Sequence, residues 1–120
     1  MRFLVFGSLN IDHVYEVNHI VAPGETTRTL RYRLSPGGKG LNQAIALAKA
    51  GLTVHMAGKV GSFATILRQE LADVGINMDH LLIDETAQTG HTIIQVSSSG
   101  ENAILYAPGA NEQLTKRDIV

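Results

Sequence analysis

The sequence has no cysteine, no tryptophan and only three prolines, and it lacks any long apolar run. Without cysteine there are no disulfides, no thiolate nucleophile and no Cys-ligated zinc, which fits a reducing cytoplasmic setting and leaves any chemistry to oxygen and nitrogen groups. The opening apolar stretch Phe3-Leu4-Val5-Phe6 is stopped by Gly7, Asn10 and Asp12 long before a signal core or a membrane span is complete, so the chain reads as soluble, with no membrane partner. A surplus of one charge is missing too. Ten Lys and Arg against eleven Asp and Glu leave a net −1, too weak a field to hold a nucleic-acid backbone. What is abundant is glycine, twelve of 120 residues, which points to tight turns and close backbone approaches rather than to disorder. With 44% hydrophobic content the length suffices for one core.

The hydrophobic pattern predicts an α/β fold. Residues 3–6 form a short, wholly apolar run ended by glycine, as in a strand buried on both faces of a parallel sheet. Residues 12–17 alternate imperfectly, the Pro23-Gly24 turn follows, and a half-exposed extended stretch is expected over 26–34, broken by Ser35-Pro36-Gly37-Gly38. Leu41, Ala44, Ile45 and Ala48 recur at helical spacing up to Gly51, and Ile66, Leu67, Leu71 and Val74 do so up to Gly75. Strands are expected over 53–57 and 81–83, and a hairpin over 89–107 that turns at Ser97-Ser98-Ser99-Gly100. The half-polar segments 12–34 and 89–107 do not belong inside a buried parallel sheet, and are read as a small second sheet or lid. Thr115, with Asp118 three residues on, has the pattern of a helix start. The helix does not continue, so the chain reads as part of a larger unit.

The densest constellation is Gly37-Gly38-Lys39-Gly40-Leu41-Asn42-Gln43-Ala44, which ends a strand and opens a helix. Paired glycines there allow backbone N–H groups to approach a ligand at the positive end of the helix. Lys39 adds charge, and Asn42 adds a donor and an acceptor one turn in. A plain glycine-rich turn with solvated Lys39 and Asn42 would use the same residues. Arg33 and Gly40 stand where a Walker A motif needs Gly and Ser or Thr, so that motif is excluded. Gly7-Ser8-Leu9-Asn10-Ile11-Asp12 lacks the second glycine of a dinucleotide fingerprint, but its position after the first strand suits Asn10 and Asp12 for binding a hydroxylated ligand. Taken alone, a local Asx turn accounts for that pair equally. The five histidines show no paired metal-binding spacing, so no metal site is expected. Ser8, Asp12 and His13 do not make a hydrolase triad: no nucleophile elbow is present, and adjacent Asp and His point to opposite faces of a strand.

These segments, with the Pro23-Gly24-Glu25-Thr26 turn and the later Gly109-Ala110-Asn111, Leu114-Thr115 and Asp118-Ile119, resemble the N-terminal part of the ribokinase-like (PfkB) carbohydrate kinase family from Arg2 onward. The Lys39 and Asn42-Gln43-Ala44 version is nearest to the ribokinase branch. The resemblance implies a ribokinase-like parallel sheet flanked by helices with a small β lid, residues 1–120 being the N-terminal part of one such domain. It implies transfer of the γ-phosphoryl group of ATP to the primary hydroxyl of ribose or a related sugar. Asn10, Asp12 and Asn42 would bind sugar hydroxyls, Gly37 and Gly38 would approach by backbone, and Lys39 would stabilise transferring charge. Thr92, Ile94 and Ile104 of the lid would wall the sugar, and lids would pair in a homodimer. Gly7 is expected to approach the ligand with Gly37 and Gly38.

Two family elements are absent. Asp84-Glu85-Thr86-Ala87-Gln88-Thr89-Gly90 does not match the D-T-x-G-A-G-D motif that carries the general-base Asp, and no Asn has the Glu three residues on of the magnesium-associated element. Both are expected beyond Val120, together with most contacts to ATP, Mg²⁺ and a candidate K⁺. The loop after Val60-Gly61 is also shorter than the family's usual one. An alternative from another class is a non-catalytic sugar-binding or dimerisation module derived from such a kinase.

Overall fold

The computed structural model describes residues 1–119 and has two sheets. β1 (Arg2–Phe6), β4 (Thr53–Ser62) and β5 (Leu81–Gln88) form a parallel sheet in the order β1-β4-β5. β2 (Asn10–Val17), β3 (Arg31–Gly37), β6 (His91–Ser97) and β7 (Asn102–Ala107) form the second, in the order β3-β2-β6-β7. Its three pairings alternate in sense: β2 runs against β3 and with β6, and β6 runs against β7. The second sheet foreseen from the half-polar segments therefore exists.

Helices α1 (Lys39–Lys49) and α2 (Thr65–Asp73) follow β3 and β4. Sheet growth in one direction through right-handed crossovers puts both on the same face. There Leu41 and Ala44 of α1 and Leu67 and Leu71 of α2 bury against Val5, Val54, Met56 and Val60. Both helices stop where expected, with Gly51 and Gly75 at φ 89° and 73°. The opposite face is uncovered: Leu4 and Phe6 are 63% and 55% exposed, unusual for a parallel sheet. The chain returns to that face through a 3₁₀ turn (Gly109–Gln113) and the short α3 (Lys116–Ile119). Thr115 begins α3 as its sequence predicts, its N–H donating to Asp118 Oδ2 at 2.8 Å. That bond, and then Lys59 Nζ at 3.2 Å, hold the Asp118 carboxyl below its ordinary pKa.

Four expectations are corrected. Ser35-Pro36-Gly37 does not break β3, because β3 is an edge strand and Pro36 needs to donate nothing on its outer side. Residues 26–30 are not a strand: β2 ends at Val17, and of these residues Leu30 alone is bonded to it, its N–H donating to the Glu16 carbonyl at 2.8 Å. A side chain is instead used to fold that loop: Glu25 accepts from the Ala22 N–H at 2.9 Å and meets His19 Nε2 at 2.6 Å, and both lower its pKa. β4 and β5 are longer than expected: β4 runs on through Gly58 and Gly61 to Ser62, and β5 extends to Gln88, which pairs with Ser62. A Cβ on Gly58 would lie 2.6 Å from Leu9 Cδ1, and one on Gly61 would overlap the Ala87 carbonyl.

The last correction concerns Gly7, which faces a helix rather than the ligand side. A Cβ on Gly7 would stand 2.8 Å from Gly40 Cα, and one on Gly40 would stand 2.6–2.8 Å from the backbone of Gly7 and Ser8. Two bare backbones thus touch where α1 crosses the end of β1. Gly40→Ala should cost about 1–3 kcal/mol, the usual range for an added methyl in a filled site. Urea denaturation of the full-length protein measures it, and an unchanged midpoint would show that α1 can move away freely.

Candidate active site

The pairing registers place four backbone crossings side by side. Asn10 pairs with Gly37, Ile11 with His91, and His91 with Ala107, so all four lid strands join the α/β layer at one end of the lid. The crossings lie at 7–9, 37–38, 89–90 and 108–109. An open cleft of about 500 Å³ lies beside them, at the carboxyl end of β1, lined by Ser8, Gly38, Lys39 and Asn42 of the α/β layer and by Asn10, Asp12, Thr92, Ile94, Ile104 and Tyr106 of the lid.

Each side chain reaches the cleft for a local reason. Asn10 and Asp12 are two apart on β2 and share a face, as do Thr92 and Ile94 on β6 and Ile104 and Tyr106 on β7. Lys39 and Asn42 are three apart on the first turn of α1. Gly38 precedes them at φ 99°, a conformation that disfavours a side chain, and a Cβ there would lie 2.6 Å from the Ser8 carbonyl oxygen. That carbonyl accepts the Leu41 N–H at 3.1 Å and locks the helix start to the first crossing. No side chain caps α1 and no acid occupies its first turn, so apart from the Leu41 N–H its positive end is left to a ligand or to water.

The polar groups are already ordered. The Thr92 hydroxyl donates to Asp12 Oδ1 at 2.6 Å, across the paired positions Asp12 and Thr92 of β2 and β6. The other carboxylate oxygen lies against Gly37, where a Cβ would overlap it. Gly37 is therefore beneath the cleft, making room for Asp12, while the remaining eight expected residues line it. His13 projects to the other face, where its Nδ1 lies 2.8 Å from the Tyr32 hydroxyl. The excluded Asp and His pairing is thus geometrically apart as well.

Ser8 and Tyr106 were not anticipated, although period-two alternation from Ile104 points to Tyr106. Asn111 belongs to the family segment Gly109-Ala110-Asn111. It sits behind the cleft and bonds to Leu9 and Asn10. Nothing in its local sequence signals that contact.

A parallel α/β sheet with a four-stranded β lid rooted at a polar cleft is the architecture of the ribokinase-like class of α/β proteins. The model of the pfkB family carbohydrate kinases matches residues 2–120, and this chain belongs to that family. A ribokinase of Haemophilus influenzae is 39% identical over 114 residues, covering 93% of this chain and 37% of that protein. A deoxyribokinase of Salmonella typhi is 35% identical over 121 residues, covering 99% and 40%. The structure of Arabidopsis thaliana ribokinase complexed with ribose and ATP is similar at TM-score 0.83 and 30% identity, covering 90% of this chain and 36% of that one. The chain thus spans well under half the length of these relatives.

Thr92→Val keeps the shape of the side chain and removes the donor to Asp12. Because Asp12 is partly solvated, the loss should be about 1 kcal/mol of stability, read by urea denaturation of the full-length protein. No loss would mean that the bond is matched by water.

Proposed function

We propose that this chain supplies the sugar-binding part and the lid of an ATP-dependent sugar kinase that phosphorylates the primary hydroxyl of ribose or a related sugar. The observation that carries the reading is the convergence of Asn10, Asp12, Lys39 and Asn42 on one cleft together with Thr92, Ile94 and Ile104. Asp12 accepts hydrogen bonds from sugar hydroxyls, and Asn10 and Asn42 add amide contacts. Gly38 lets the ligand approach the backbone at the start of α1. Ile94 and Ile104 cover the apolar face of the sugar.

In this reading the sugar hydroxyl attacks the γ-phosphorus, the bond to ADP breaks, and the hydroxyl proton passes to a carboxylate base. That base lies beyond Val120. Lys39 and the positive end of α1 stabilise charge on the phosphoryl oxygens. The lid keeps out water, the competing acceptor. Mg²⁺, K⁺ and most of the nucleotide contacts belong in this reading to the remainder of the protein. That remainder also covers Leu4 and Phe6, making residues 1–120 the N-terminal part of one domain. A cytoplasmic location suits a kinase using ATP.

The test is full-length protein with ATP, Mg²⁺ and ribose, then deoxyribose and a pentose and hexose panel. Formation of a sugar phosphate is expected, and none from any sugar would refute the proposal. Asp12→Ala should weaken sugar binding by about 1.5–3 kcal/mol, the range for a hydrogen bond to a charged group. Calorimetry measures this, and an unchanged Kd would remove Asp12 from the site.

We also propose a homodimer formed through the lid. Leu34, His13, Ile93 and Leu105 lie abreast across its outer face, and Leu34, Ile93 and Leu105 are 46%, 41% and 70% exposed. Leu105→Glu would bury a charge in such an interface. Sedimentation should show a wild-type dimer and a monomeric variant; a wild-type monomer would refute it.

A further inference from the structure

Asn111 fixes which end of the Asn10 carboxamide faces the cleft, and the assignment follows from one unambiguous donor. The Leu9 backbone N–H can only donate, and it donates to Asn111 Oδ1 at 3.1 Å. The Asn111 NH₂ must then be on the other side of that carboxamide, where it donates to the Leu9 carbonyl at 3.2 Å and to Asn10 Oδ1 at 2.8 Å. It also reaches the Tyr106 hydroxyl at 3.5 Å. With Oδ1 engaged, Asn10 has its NH₂ left for the cleft, and among the described residues that NH₂ has no protein acceptor. Gly90 makes the arrangement possible, since a Cβ there would overlap Asn111 Nδ2 and stand 2.6 Å from Asn10 Oδ1.

We propose that Asn111 is a positioning residue that sets Asn10 as a hydrogen-bond donor to the ligand. On the same strand face, Asp12 is an acceptor two residues on. The pair therefore selects a ligand that accepts at Asn10 and donates at Asp12, as one hydroxyl or two neighbouring hydroxyls do. A ligand presenting only donors would leave the buried side of this pair mismatched. Lone carboxamides are ambiguous in orientation, but here the chain of bonds from Leu9 removes the ambiguity. The inference rests on the sugar-site reading for its ligand, but not for its geometry.

Two measurements on full-length protein test it. In a double-mutant cycle read by ribose calorimetry, Asn10→Ala and Asn111→Ala should each weaken binding about tenfold or more, and the double variant should fall within about threefold of Asn10→Ala alone. Effects that multiply would overturn the proposal, because Asn111 would then act by a route other than Asn10. Should Asn111→Ala not fold, Asn111→Asp takes its place in the cycle: it still accepts from Leu9 but presents an oxygen to Asn10 Oδ1, forcing that carboxamide to turn over. The second measurement needs no ligand. The side-chain amide signals of Asn10, assigned by their loss in Asn10→Asp, should shift or broaden in Asn111→Asp. Unmoved signals would overturn the proposal even if no sugar binds, whereas shifted signals without binding of any sugar would uphold the positioning and refute the sugar reading.

Discussion

The contact between Gly7 and Gly40 is the constraint from which the cleft is built. Helix α1 can begin directly against the end of β1 only because neither backbone carries a side chain at the point of touch. That closeness allows the Leu41 N–H to reach the Ser8 carbonyl and brings Lys39 and Asn42 beside Asn10 and Asp12. A larger residue at either position would move the start of the helix outward and separate the two halves of the polar set. Packing and chemistry are therefore one problem at this place in the chain.

The second organising element is the division of labour among polar groups. Thr92 takes one oxygen of Asp12, Gly37 makes room for the other, and Asn111 engages the carbonyl end of Asn10. Each bond restricts a side chain before any ligand arrives, so less rotamer freedom remains to be lost on binding. Thr92 and Asp12 lie on neighbouring strands of the lid, and Asn111, which follows the last lid strand, acts on Asn10 at the root of β2. The polar set consequently depends on the lid being present, not merely on the lid closing.

Much of this was legible in the sequence, for identifiable reasons. The helix ends at Gly51 and Gly75, the hairpin turn after Ser97 and the helix start at Thr115 are local signals, each readable within a few residues. Asn10, Asp12, Lys39 and Asn42 lie in two short motifs whose spacing places them at the ends of elements. The misreadings share a cause. Gly7 reads locally as a ligand glycine, and nothing local marks Gly58 and Gly61 as strand residues, because each is set by a neighbour distant in sequence: Gly40, Leu9 and Ala87. Pro36 was taken as a breaker because its edge position depends on the pairing of β3 with β2 alone. Asn111 stands 101 residues from Asn10, and no local pattern reveals a bond over that separation.

The attachment of the lid has a mechanical consequence. Four backbone crossings enter one end of a four-stranded sheet side by side, so the sheet is sewn to the layer below along a seam. Sliding it sideways, or turning it about the strand direction, would require the crossings to move past one another through close-packed glycine contacts. Flexing about the seam demands only small, concerted changes at 7–9, 37–38, 89–90 and 108–109. Flexing about the seam is thus the motion the crossings oppose least, and the strip of chain along that seam also carries Asn10, Gly38 and Gly90.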